Sequence, residues 1–182
     1  MASTTIPAPS PVLGLHHAAY RCRDAEETRH FYEDILGLPL IHVVTADHVS
    51  TGKSTSFAHV FFELADGSCI AFFDLGDNVT AAPSPNTPAW VNHIAFKVSS
   101  LDALAAMKKR LESHGIEVVG VTDHEFVHSI YFFDPNGVRL EFTTQVVGDE
   151  AMDSYARGAH STLKAWNEDK ARRTREANKI NA

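Results

Sequence analysis

Hydrophobic positions along the chain follow two rhythms, period two and period 3.6, and these alternate in a fixed order. LHHAAYRC at 15–22 reads as a strand. A helix follows across 25–36: Asp24 with Glu27 three residues on is a capping-box signature, Phe31, Ile35 and Leu36 share one face, and Gly37 ends it. Three strands come next, at 38–45, 57–64 and 68–75, the last two joined at Ala65-Asp66-Gly67, a hairpin signal. GDNVTAAPSPNTPA (76–89) is too polar and proline-rich for a core element and reads as a linker. Then the order recurs: a strand at 90–98, a helix at 100–114 with Leu101, Leu104, Met107 and Leu111 on one side, and strands at 116–122, 127–133 and 138–144.

The pattern is therefore βαβββ twice, and the repeat holds residue by residue. HHAAYRC (16–22) lies over NHIAFKV (92–98), so His17 matches His93 and Arg21 matches Lys97, at an offset of 76. ADGSCIAF (65–72) lies over PNGVRLEF (135–142), so Gly67 matches Gly137 at an offset of 70 and Ala71 takes the place that Glu141 holds in the second module. Asp134-Pro135-Asn136-Gly137 is a turn, with proline presetting φ and glycine closing it. The expected organisation is a lead-in at 1–13, a domain at 14–144 (module one 14–75, linker 76–89, module two 90–144), and a helical extension at 145–182. The fold class is α+β, two modules forming a curved mixed sheet around a cleft.

Composition narrows the function. The 182-residue chain, 44% hydrophobic and 21% charged, can build a full core. No apolar run approaches the ~18 residues of a membrane span, and the N-terminal MASTTIPAPSP has no secretory signal pattern, so a cytoplasmic protein is expected. A net charge of −7 without a basic stripe argues against nucleic-acid binding. Cys22 and Cys69 sit far apart in apolar runs and read as buried thiols. Eleven histidines are the unusual feature.

Strand alternation sorts those histidines by face. Ile94, Phe96 and Val98 can pack on a helix while His93, Ala95 and Lys97 face the other way; Leu140 and Phe142 face the core and Glu141 does not. Two modules pairing by their helix-free faces would enclose a cleft into which His17, His93 and Glu141 project. Two imidazoles at repeat-equivalent positions with one carboxylate are hard to explain as packing, because a desolvated charge needs a partner. A divalent metal supplies one.

The segments HHAAYRCRD at 16–24, FYEDILGLPL at 31–40, HIAFKV at 93–98 and DPNGVRLEF at 134–142 make the chain, over about 14–144, resemble the vicinal oxygen chelate superfamily. That superfamily includes glyoxalase I, fosfomycin and bleomycin resistance proteins, methylmalonyl-CoA epimerase and type I extradiol dioxygenases. The resemblance implies a metal held by His17, His93 and Glu141. The fourth ligand of glyoxalases and epimerases falls on Ala71, which weakens an isomerase and favours the 2-His-1-carboxylate logic of an iron dioxygenase. Fosfomycin resistance enzymes, however, also show three ligands and use manganese. Tyr131 stands ten residues before Glu141, as does a substrate-contacting tyrosine in the extradiol enzymes, and its repeat partner is Phe61. His124 matches their oxygen-stabilising histidine if this hairpin is two residues shorter; otherwise it is a turn histidine. Ser68 stands near the place of their base histidine, which leaves the base unassigned.

His59 is the substitute base under one hairpin register. A three-residue loop closing on Gly67 puts His59, Phe61 and Ala71 on the cleft face, whereas a two-residue loop turns His59 to the helix side. The apolar positions Val60, Phe62 and Leu64 favour the first. Phe57, Phe61 and Phe73 would then make a flat lining for an aromatic ring, with Phe61, Phe73 and Ala71 as substrate contacts. Arg21 and Lys97 either edge the cleft or are solvated strand ends. His16, His42, His48, His128 and His160 read as structural or surface residues. The expectation is an Fe(II)-dependent extradiol-type dioxygenase, with Mn(II), Zn(II) or Ni(II) as other metals, an aromatic substrate and O2 as partners, and no nucleic acid or membrane. The rivals are a metal-dependent lyase, isomerase or thiol transferase and a drug-binding resistance protein. A homodimer is implied by the resemblance. In the extension, Met152, Tyr155, Ala159, Leu163 and Trp166 recur at helical spacing and can pack on the domain or on a second subunit, with Gly158 a candidate break.

Overall fold

The computed structural model describes residues 11–48 and 54–180; of the expected lead-in, 1–10 lie outside the described residues. Module one runs β1 (His17–Cys22), α1 (Ala25–Arg29), β2 (Leu40–His48), β3 (Ser54–Glu63) and β4 (Cys69–Asp74). Module two runs β5 (Ile94–Lys97), α2 (Leu101–Ser113), β6 (Val119–Asp123), β7 (Val127–Phe133) and β8 (Arg139–Gln145), and α3 (Asp149–Ile180) follows. Each module forms its own four-stranded mixed sheet, ordered β1-β4-β3-β2 and β5-β8-β7-β6, which is the α+β architecture of two βαβββ modules expected from the pattern. In both, the outer pair β1·β4 or β5·β8 is parallel and the rest antiparallel.

Local chemistry explains these elements. The Asp24 carboxylate accepts from the Glu27 amide at 2.7 Å and caps α1, while Glu27 itself turns to Arg23 rather than completing the capping box. From His30 to Ile35 the helix widens to a π-helical turn, with Leu36 N donating to the Phe31 carbonyl at 2.9 Å. Thr28, Phe31, Tyr32 and Ile35 are buried at helical spacing. Phe62, Phe72 and Ile70 are buried on the facing sheet, each worth about 1.5–3 kcal/mol in removed apolar surface. In module two α2, capped by Ser100 Oγ, lays Leu104 and Leu111 onto the sheet, whereas Leu101 stays exposed. The strand expected at 90–98 shortens to 94–97, leaving His93 one residue ahead of β5.

One hydrophobic core spans both modules, from Phe31 and Tyr32 to Phe132 and Leu140. The joint is formed by α1 against the β7–β8 turn. Tyr32 OH donates to Asp134 Oδ2 at 3.1 Å, Asn136 Nδ2 donates to Thr28 Oγ1 at 3.2 Å, and Arg23 N donates to Asn136 Oδ1 at 2.9 Å. The Asp134-Pro135-Asn136-Gly137 turn is thus also a fastening. Arg21 corrects an expectation: its guanidinium donates to Asp77 and to the Val79 carbonyl, so it pins the linker rather than edging a cleft. Gly158 does not break α3, which is continuous. No helix among the described residues is long and apolar enough to cross a membrane.

Candidate metal centre

Pairing of β8 with β5 and β7 decides what surrounds Glu141. It lies on one rung with Ala95 and Tyr131, and its carboxylate is buried, 6% exposed. Ser129 Oγ donates to Oε1 at 2.5 Å, and His93 Nε2 stands 2.9 Å from Oε2. The other His93 nitrogen, Nδ1, is 3.0 Å from the Val91 carbonyl, an acceptor that calls for N–H on that side. In the neutral ring this leaves the Nε2 lone pair facing a carboxylate oxygen. Two acceptors at that separation need a proton or a cation between them. Two donors at about 2.1 Å from one divalent ion fit that spacing, so the pair's chemistry suits a metal. Backbone fixing of the imidazole and the Ser129 hydrogen bond would orient both ligands.

Around this pair stand the other module-two residues singled out by the sequence. The Tyr131 ring is 6.0 Å from that of His93, and its hydroxyl shares a 2.7 Å hydrogen bond with His124 Nε2. Burial, and after it the Glu141 charge, pushes the Tyr131 phenol above its ordinary range, which keeps its proton on. Arg139 lies over the same ring at 4.4 Å.

Module one builds a second face in the same register. Glu63 pairs with Cys69, and Leu64 N donates to the Ser68 carbonyl at 2.8 Å, leaving the three-residue loop 65–67. Phe61 therefore opposes Ala71 as Tyr131 opposes Glu141, and His59 opposes Phe73 as Ser129 opposes Thr143. Ala71 is fully buried and offers no donor. His59 stacks on Phe73 with centroids 3.6 Å apart, and its Nε2 is buried without a hydrogen-bond partner. Burial first, then the neighbouring imidazoles of His17 and His42, lower its pKa and favour the neutral ring. His17 lies 5.9 Å from the His59 ring and 5.4 Å from Phe61, with its Nδ1 2.8 Å from that of His16.

The structure thus brings His93 to Glu141, His124 to Tyr131, and His17 to His59 and Phe61. It does not bring His17 to the His93–Glu141 pair: among the described residues no three His, Cys, Asp or Glu side chains form a metal-holding group. Sequence reasoning missed Ser129, findable as the repeat counterpart of His59, and His42, whose ring lies 5.7 Å from Phe61.

A doubled βαβββ fold with a histidine–carboxylate pair on one helix-free sheet face defines the class. The chain belongs to the Glyoxalase/Bleomycin resistance protein/Dioxygenase superfamily, whose profile matches residues 14–142. It is similar to a Bacillus subtilis (strain 168) protein described as a ring-cleaving dioxygenase, MhqA, with 26% identity over 132 residues, 71% of this chain and 40% of that protein. The chain therefore spans well under half of that relative's length. Arabidopsis thaliana Glyoxylase I 4 is 26% identical over 143 residues, 73% of this chain and 71% of that one. Among solved structures, a mutant of the fosfomycin resistance protein FosX from Listeria monocytogenes, complexed with Mn(II) and a dihydroxypropylphosphonic acid, aligns with a TM-score of 0.54. It is 22% identical, over 78% of this chain and 98% of that one. Members of the superfamily are mostly metal-dependent enzymes acting on small molecules, and a divalent metal is typical of them.

Proposed function

We propose that the protein is an Fe(II)-dependent extradiol-type dioxygenase acting on a catechol-like aromatic substrate. The observation that carries the reading is the pair of half-exposed His93 and buried Glu141 beside a hydrogen-bonded Tyr131–His124 pair. His93, Glu141 and a module-one histidine, His17, would hold the ion, with His17 of the partner subunit in a homodimer completing the set that one chain leaves apart. A ferrous ion so held supplies Lewis acidity and one-electron redox chemistry toward vicinal hydroxyls and O2.

The chain's own side chains do the rest. Phe61 and Phe73 present flat apolar surface to an aromatic ring, and Ala71 leaves room where a longer side chain would stand. Tyr131, holding its proton and oriented by His124, donates a hydrogen bond to a substrate oxygen. His59, kept neutral by burial and by its imidazole neighbours, would accept a substrate hydroxyl proton at Nδ1, its Nε2 being enclosed. Ala71 disfavours the lyase and isomerase alternatives that rely on a carboxylate there.

Anaerobic loading with Fe(II), addition of a catechol panel and admission of air test the assignment. Oxygen uptake matching the absorbance of ring-opened product, lost in His93→Ala and reduced at least tenfold in Tyr131→Phe, is the expected result. Metal binding at one per chain without oxygen uptake by any catechol would overturn it and direct attention to thiol transfer or lyase chemistry. Drug binding indifferent to Glu141→Ala would instead identify a metal-free binding protein.

A further inference from the structure

The C-terminal helix α3 spans 32 residues, about 48 Å. Residues 159–168 are exposed all round, so the helix stands clear of the domain after its first turns. Tyr155, Leu163 and Trp166 recur on one stripe with Ala159 and are 50%, 57% and 54% exposed. The Tyr155 ring reaches the domain at Phe126, with centroids 6.0 Å apart. Arg173 lies over the Trp166 ring at 4.7 Å, but the stripe is otherwise half-exposed, and a lone helix with such a face is marginal in water and gains from burying it.

Charge identifies the cover. Residues 149–160 hold Asp149, Glu150 and Asp153 against Arg157, whereas 161–180 hold Lys164, Lys170, Arg172, Arg173, Arg175 and Lys179 against Glu168, Asp169 and Glu176. The first half is net negative and the second net positive. The helix dipole favours such charges only within the first and last turns, and the arginines at 172–175 lie further in. Two copies laid antiparallel meet acid to base at both ends, while a parallel pair meets like to like.

We propose that α3 is a self-pairing surface: two copies of this chain associate through antiparallel α3 helices, with Tyr155, Ala159, Leu163 and Trp166 as the apolar seam. The seam is centred near Ser161, so residues there face their own counterparts, and those several residues away do not. This does not depend on the metal reading.

The test uses the full chain with single cysteines introduced on α3, Cys22 and Cys69 being buried. With oxidised glutathione, Thr162→Cys is expected to give a disulfide-linked dimer and Ala156→Cys to remain monomeric on a non-reducing gel. Adding Leu163→Glu to Thr162→Cys should cut the cross-linked fraction at least tenfold, with the far-UV circular dichroism of the domain retained. Cross-linking of both single variants would mean parallel pairing and overturn the proposal. Absence of cross-linking in both, whether light scattering reports a monomer, a dimer joined elsewhere or a complex with another protein, would overturn it equally.

Discussion

Ser129 is the residue on which the candidate centre leans most without being a ligand. Its hydroxyl is the donor to Glu141 Oε1 and also reaches Thr143 Oγ1 at 3.0 Å, in a fully buried position. Ser129→Ala should weaken metal binding about 10–100-fold while leaving the fold intact, measured by calorimetric titration with Mn(II) or Fe(II). An unchanged affinity would mean that Glu141 is oriented by the strand alone. His17, His93 and Glu141 can be read from the sequence because the repeat gives each a position and parity gives each a face. The same repeat places Ser129 in register with His59, but a serine in an apolar strand carries no chemical signature that reveals its role until its partner is seen. His42 has no repeat argument, yet cross-strand packing brings it to Phe61.

Among elements, the β7–β8 turn does more than reverse the chain. Asp134 is 5% exposed and accepts from Asn136 N, Val138 N, Asn136 Nδ2 and Tyr32 OH. Burial raises its pKa despite those donors. A carboxyl whose folded pKa is raised contributes stability that is present below its unfolded pKa and lost as pH rises through the folded value. Arg29, the largest influence on Asp34, together with His30 holds that carboxyl down to about 2. Carboxyl carbon NMR should therefore find Asp134 still protonated where Asp34 is already ionised; simultaneous titration would contradict the burial argument. Asn136→Ala removes the acceptor of Arg23 N and the donor to Thr28, and should cost about 2–3 kcal/mol in urea unfolding. A cost near zero would show that the joint is held by apolar packing alone. The hairpin register is legible in the sequence, since Val60, Phe62 and Leu64 must share the core side. The joint is not: Asp-Pro-Asn-Gly reads locally as a turn, and its long-range partners Thr28 and Tyr32 lie on another module's helix.

At the scale of the molecule, the doubled pattern foretells two modules, and the order of strands within each follows from it. How the modules meet does not follow, because both the helix face and the sheet face of a βαβββ unit offer surface to pack, and local patterning does not rank them. The chain joins them through α1 and the β7–β8 turn, and among the described residues no three His, Cys, Asp or Glu side chains form a metal-holding group. The proposed centre is therefore completed between two chains. Its most direct test is metal content after mixing subunits: His17→Ala and Glu141→Ala proteins, each alone expected to retain no tightly bound Mn(II) or Fe(II), are unfolded together, refolded, loaded and desalted. Random pairing in a two-fold dimer should restore about a quarter of the wild-type metal content, because each mixed dimer rebuilds one of its two sites. A mixture as empty as its components, or a His17→Ala protein that still binds one metal per chain, would contradict the shared centre.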